Sequence, residues 1–189
     1  MGLALFAFTG CNDIDMSLLK NRLETFQASS ELIGIHSDDS ETNRFSLGWL
    51  FDVNDENYAL ISVDEDGTFD ALTIGFLKDI VRLSYGSPYI NSVKKSASFT
   101  RSIESFDLRE FNANFDKMLQ KAKADRCILA ITDRNWQIMQ AIVSDYDDEH
   151  IELEEISKSG EKDGFEVLLR DDILKLEFFG AHARRLKNV

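Results

Sequence analysis

Apolar residues along this chain fall mostly into short alternating or continuous runs, and only rarely into helical spacing. Over residues 14–28, Met16, Leu18, Leu19, Leu23 and Phe26 recur near a 3.6-residue period, with Asp13 or Asp15 in position to cap, which predicts an amphipathic helix. Leu32–His36 (LIGIH) has the length and composition of a strand, and the polar run 37–43 (SDDSETN) is made of turn formers. Residues 45–52 are apolar on both alternating faces, as in a long central strand buried on two sides, and Gly48 within it marks a bend or a close backbone approach. Runs at 58–63, 69–76 and 80–85 predict three more strands, joined by turns at 54–57 and 64–67 and by the short link Leu77, Lys78 and Asp79. A short helix through Tyr89, Ile90 and Val93 completes this part.

The same order then returns. Phe111, Phe115, Met118, Leu119 and Ala122 lie at i, i+4, i+7, i+8 and i+11, predicting a second helix. Strands are expected at 127–132, 136–145, 150–156, 165–169 and 173–178. A shift of 93 residues without gaps places Asp52, Asp55, Glu56, Leu60, Gly67, Asp70, Asp79, Ile80 and Leu83 on Asp145, Asp148, Glu149, Leu153, Gly160, Asp163, Asp172, Ile173 and Leu176. Chance would supply about two such matches in this window. The repeat is therefore a folding unit, and the expected division is residues 1–97, a linker at 98–108, and residues 109–189.

Composition narrows the function. The chain has 189 residues, 43% hydrophobic and 29% charged, with one proline and fourteen phenylalanines, as expected of a globular protein with real cores. Net charge is −13, shared as −8 over residues 1–96 and −5 over 97–189, so neither half has the basic surface of a phosphate-binding domain and RNA or DNA is disfavoured as partner. Cys11 and Cys127 occupy non-equivalent places, and His36, His150 and His182 share no ligand spacing, so no metal, disulfide framework or cofactor is expected. The two thiols fit a reducing cytoplasm, and no apolar run reaches the length of a membrane span. The opening MGLALFAFTGC resembles a lipoprotein cleavage region but lacks a basic start and has Phe8 three residues before the cysteine. It is read as an apolar segment packed on a core, with a misplaced start codon as the alternative.

A helix followed by five short, bent antiparallel strands, with a very short link between the fourth and fifth, resembles the Sm-like (LSm, Hfq-like) barrel family over roughly residues 14–86 and 109–179. Gly48, Phe51, Asp52, Asn57 and Leu60 stand close to the order of the family's first motif. Phe76-Leu77-Lys78-Asp79-Ile80 and Leu169-Arg170-Asp171-Asp172-Ile173 occupy the place of its second. The PRC-like barrel, with a similar glycine, acidic turn and Asp-Ile strand entry, is the rival reading. The resemblance implies a mainly β (α+β) fold of two tandem Sm-like small barrels, and protein partners or self-association through strand edges. It also implies a possible RNA or partner contact at Phe76, Lys78 and Arg170, although the family's Arg-Gly pair is absent and acidic residues stand beside these positions.

Other polar clusters have simpler readings. The acidic turns 52–56 and 145–149 are explained by Asp and Asn bonding their own backbone. Residues 64–70 (DEDGTFD) have carboxylates around a glycine, as calcium loops do, but copy two carries two fewer, and a glycine turn accounts for both copies. Lys94-Lys95 and Arg184-Arg185-Lys187 suit helix C-termini. The expected function is a non-catalytic interaction or scaffold protein of the cytoplasm. RNA binding at a residual Sm-type site is the alternative, and an enzyme with a site between the two barrels a weaker one.

Overall fold

The computed structural model describes residues 16–38, 44–97 and 108–180. The apolar N-terminal segment, most of the expected linker and the basic C-terminal run lie outside the described residues; Leu108, the last linker position, is buried.

The first half begins with helix α1 (Met16–Ser29), which buries Leu19, Leu23 and Phe26 on one face. Strands β1 (Leu32–His36), β2 (Ser46–Val53), β3 (Asn57–Val63) and β4 (Phe69–Phe76) follow. A 3-10 turn at Leu77–Asp79, strand β5 (Arg82–Tyr85) and helix α2 (Pro88–Ser96) complete the half. The second half has helix α3 (Phe115–Asp125) and strands β6 (Ile128–Asp133), β7 (Ile138–Tyr146), β8 (His150–Ile156) and β9 (Lys162–Leu169). A second 3-10 turn at Arg170–Asp172 leads into β10 (Ile173–Phe178). The fold is mainly β, as expected.

The 93-residue correspondence extends to the backbone. Shifted by 93, β3, β4 and the first turn coincide with β8, β9 and the second turn. Even the irregularities repeat: the β2–β3 ladder slips between Leu50 and Asp52, and the β7–β8 ladder between Val143 and Asp145. A second slip between Ser62 and Val63 recurs between Glu155 and Ile156. Such bulges bend a strand and increase its twist, so the two halves are bent at the same points. At Gly48 a Cβ would lie 2.3 Å from the Ile61 carbonyl oxygen, which is the close approach that its place in the strand suggested.

All ten strands join one open antiparallel sheet in the order β5-β1-β2-β3-β4-β10-β6-β7-β8-β9. Each half contributes the same local order, its fifth strand beside its first. The ladder that unites the halves is β4 with β10, pairing Gly75 with Lys175, Ile74 with Leu176, Thr73 with Glu177 and Leu72 with Phe178. One continuous sheet, rather than two separately closed barrels, is thus what the hydrogen bonds form.

The cores follow the same logic. β3 is buried at all seven positions because it has apolar material on both faces. Tyr58 and Leu60 point with Ile33, Ile35, Leu50, Leu77 and Ile80 into a small core beneath α1. Ala59, Ile61 and Val63 belong to a larger core that also contains Leu119, Ile131, Val143 and Phe178 from the second half. The two halves therefore share their main core.

Several element boundaries differ from expectation, among them β9, which begins at Lys162 rather than Phe165. Helix α3 begins at Phe115, not Phe111, because Asn112 and Asn114 bind backbone amides: Asn114 N donates to Asn112 Oδ1 at 2.8 Å and Lys117 N to Asn114 Oδ1 at 2.9 Å. Phe111 instead packs edge-on against Phe178 and Phe179, with ring centroids 5.3 and 5.2 Å away. β5 starts late because Ile80 N closes the 3-10 turn onto the Leu77 carbonyl at 3.1 Å. β7 starts at Ile138 because Asp133 Oδ1 accepts from the Asn135 and Gln137 amides at 2.9 and 2.8 Å, making 133–137 a turn.

Candidate functional site

The three residues singled out from sequence come together at the seam between the halves. Backbone geometry places the two 3-10 turns equivalently: Leu77 N donates to the Glu56 carbonyl at 2.7 Å, and Arg170 N to the Glu149 carbonyl at 2.9 Å. Phe76, at the end of β4, packs against Phe115 at the start of α3, with centroids 4.7 Å apart and the rings inclined at 40°. Arg170 lies over the other member of that pair, 5.4 Å from the Phe115 centroid, and Lys78 Nζ lies 5.4 Å from the Phe76 ring. A cleft of about 490 Å³ beside them is bordered by Phe76, Asp148, Glu149, Leu169, Arg170 and Asp171.

Each cation there already has a carboxylate. Lys78 Nζ meets Asp171 Oδ1 at 2.9 Å, and positions 78 and 171 are themselves equivalent under the 93-residue shift. Arg170 pairs with Asp116 and donates to the Asp147 carbonyl at 3.1 Å. Arg134 joins the halves again, donating through Nη1 to Asp79 Oδ1 at 2.9 Å and through Nε to the Asp171 carbonyl. The hydrogen bond and charge of Lys78 hold Asp171 below the usual carboxylate range, with Arg134 and Arg170 adding to the effect. Asp148, Glu149 and Asp171 at the cleft oppose an approaching phosphate. The arrangement packs rings together and neutralises cations; it holds no paired nucleophile and base.

The repeated acidic turns do the work of turns. Asn54 Oδ1 accepts from the Glu56 and Asn57 amides at 2.9 and 2.7 Å, and Asp147 Oδ1 from Glu149 and His150 at 2.8 and 2.7 Å. Asp64 Oδ1 likewise accepts from Asp66 and Thr68 at 3.1 and 2.8 Å, with Gly67 at φ +79° closing the turn. Among the described residues no group of three or more His, Cys, Asp or Glu is placed to hold a metal. Asp52 has a role that its sequence did not suggest: its Oδ2 accepts the Ala113 amide at 2.8 Å and fastens the second half to the first.

A second cleft on the seam, about 380 Å³, involves residues that sequence reading did not single out. Arg44 lies over Trp136, 5.6 Å from its ring, with Lys175, Ser37 and Thr132 around the same space. None of the described residues bordering it is a carboxylate, and Thr132 Oγ1 is buried with no hydrogen-bond partner. Trp136 adopts φ +61°, uncommon for a bulky residue, at the turn that Asp133 organises. Lys175 already has a carboxylate partner, its Nζ donating to Glu177 Oε1 at 2.7 Å. No local signal links them, because they come from loops 44–46 and 132–138 and from β10.

Buried polar chemistry also surrounds His36. Arg82 can only donate, so His36 Nδ1 accepts from it at 2.7 Å, and Nε2–H is the donor to Ser84 Oγ at 2.8 Å. Burial, then the neighbouring Arg82 charge, lowers the imidazole from 6.5 to about 4.

No family model matches the chain, and no curated protein or solved structure matches it either. No helix among the described residues is long and apolar enough to cross a membrane.

Proposed function

We propose that the chain is a non-catalytic interaction or scaffold protein of the cytoplasm, built as two tandem Sm-like units, whose working surface is a strand edge. Support for the Sm-like reading comes from the helix before each five-strand set, the recurrence of one local strand order, and the matching bulges that bend β2 and β7. The observation that carries the interaction reading is the β9 edge. Phe165, Val167 and Leu169 are 63%, 61% and 50% exposed there, on a strand with no neighbour on its outer side among the described residues. Unpaired, apolar edges are avoided by proteins that have no use for them.

A photo-crosslinking amino acid placed at Val167 in living cells tests this reading. Protein adducts at that position are expected, whether with another copy or with a different protein; their absence, with adducts forming as readily at an exposed position on α1, would sink it.

RNA binding is the second reading, favoured by Phe76 and Arg170 bordering one cleft, with Lys78 over the Phe76 ring. Titrating uridine- or adenine-rich oligonucleotides at low salt decides it. The ion pairs described above lead us to expect no binding, and affinity that weakens steeply with salt would restore this reading.

A further inference from the structure

Resting on the interaction reading, we infer that the β9 edge receives an extended cationic segment of a different protein, in which lysine or arginine alternates with apolar residues. The equivalent strand β4 shows what has changed. Covered within the chain by β10, β4 buries six of its eight residues, whereas β9 buries none. Beside β4 the Ser62 and Thr73 hydroxyls share a buried hydrogen bond of 2.7 Å, and Ala59 pairs with Ile74, both fully buried. Shifted by 93, these four positions are Glu155, Glu166, Glu152 and Val167. Three neutral residues of a covered edge have thus become three glutamates and one exposed counterpart of a core residue.

The glutamates are left without cations. Glu154, where the first half has Ile61, is neutralised by Arg126 and Lys162 at 3.2 and 3.0 Å. Glu152, Glu155 and Glu166 have no ion pair among the described residues. In the β8–β9 ladder Glu155 pairs with Gly164 and Leu153 with Glu166, which makes the two carboxylates diagonal neighbours on one face, while Glu152 stands across from Val167 on the other. Like charges this close on a sheet oppose each other. The surroundings reinforce them: residues 145–172 hold twelve Asp and Glu against Lys158, Lys162 and Arg170, a net charge of −9 out of −13 for the chain. A negative potential therefore runs along the edge that carries the exposed apolar row.

That potential selects among occupants. It repels the phosphates of RNA and of an anionic lipid surface, and it repels a second β9 edge, which would bring its own glutamates. A strand added along β9 has to satisfy both faces at once. Its side chains beside Phe165, Val167 and Leu169 must be apolar to cover that row. Those between them fall on the face of Glu155 and Glu166, where a lysine or arginine finds two carboxylates without a cation. Main-chain hydrogen bonds to the open side of β9 supply affinity, and the alternation of side chains supplies specificity.

Fluorescence anisotropy with the full-length chain and labelled synthetic peptides tests the inference. The probes are KVKLKVKL, its block isomer KKKKVLVL and the acidic EVELEVEL. At low salt KVKLKVKL should bind about tenfold more tightly than either of the others, and more weakly as salt is added. Equal affinity for the block isomer, which carries the same charge, overturns the inference, as does a preference for EVELEVEL. Glu152→Lys combined with Glu166→Lys alters two exposed side chains, so the circular dichroism spectrum should stay unchanged while affinity for KVKLKVKL falls about tenfold. Undiminished affinity in that variant overturns it. A photo-crosslinker at Val167 should capture KVKLKVKL, and one at the exposed Leu18 of α1 should not; capture at Leu18 alone overturns the assignment to β9. The two readings fail separately. Adducts formed at Val167 in cells with a second copy of the chain, or with a segment lacking basic residues, overturn this inference and leave the interaction reading standing.

Discussion

At His36 the protein has buried an imidazole between a permanent cation and a hydroxyl, and that choice has a pH signature. The folded form holds the ring neutral down to about 4, while the unfolded chain takes up a proton near 6.5. Stability from this site is complete above 6.5 and is lost as pH falls from about 6.5 to about 4, because the unfolded state binds the extra proton. The melting temperature should decline over that window, and His36→Gln should flatten the decline between pH 7 and pH 5; an identical slope in both proteins would show that other groups are responsible. The sequence held no hint of this arrangement. His36 was one of three scattered histidines, and Arg82 and Ser84, its partners, become neighbours only when β5 pairs with β1. Its counterpart in the second half, by the β6–β10 ladder, is Thr132, so repetition gave no warning either.

The elements at the seam separate two kinds of ion pair. Lys78 and Asp171 join side chains that are 53% and 89% exposed, and such pairs contribute little because water already solvates both charges. Arg134 and Asp79 differ: the Asp79 carboxylate is only 8% exposed, and its Oδ2 has no hydrogen-bond partner at all. Removing the cation leaves a buried charge uncompensated. Arg134→Ala should therefore cost about 1–3 kcal/mol in urea unfolding, whereas Lys78→Ala should leave the urea midpoint unchanged; equal losses would contradict this account. Strand positions were largely legible from sequence because turn chemistry repeats, with Asn54 matched by Asp147 and Gly67 by Gly160. The β4–β10 ladder was not, since a pairing between strands a hundred residues apart leaves no local pattern. Convergence of Phe76 with Arg170 likewise depended on that ladder and on Phe115, which the periodicity had read only as a core position of the second helix.

For the whole molecule, the larger core decides how it unfolds. Ile61 and Leu72 of the first half and Leu119, Val143 and Phe178 of the second belong to one apolar cluster, crossed by a continuous sheet. Neither half can lose its structure without exposing the other's core. A single calorimetric transition is expected, with equal calorimetric and van't Hoff enthalpies at each of several protein concentrations. Two resolved transitions would mean that the halves are independent domains, as the ninety-residue repeat taken alone suggested. Sequence reading found the duplicated unit and its length; it could not find that the copies had merged their interiors, because each apolar residue is equally consistent with a private core or a common one.

Equal positions that face each other impose a rule on identical units. Two copies of the first half alone would bring Lys78 against Lys78, and two of the second would bring Asp171 against Asp171. Attraction at that point is open only to unlike partners. The lysine and aspartate that now meet thus mark one place where the two halves are no longer interchangeable.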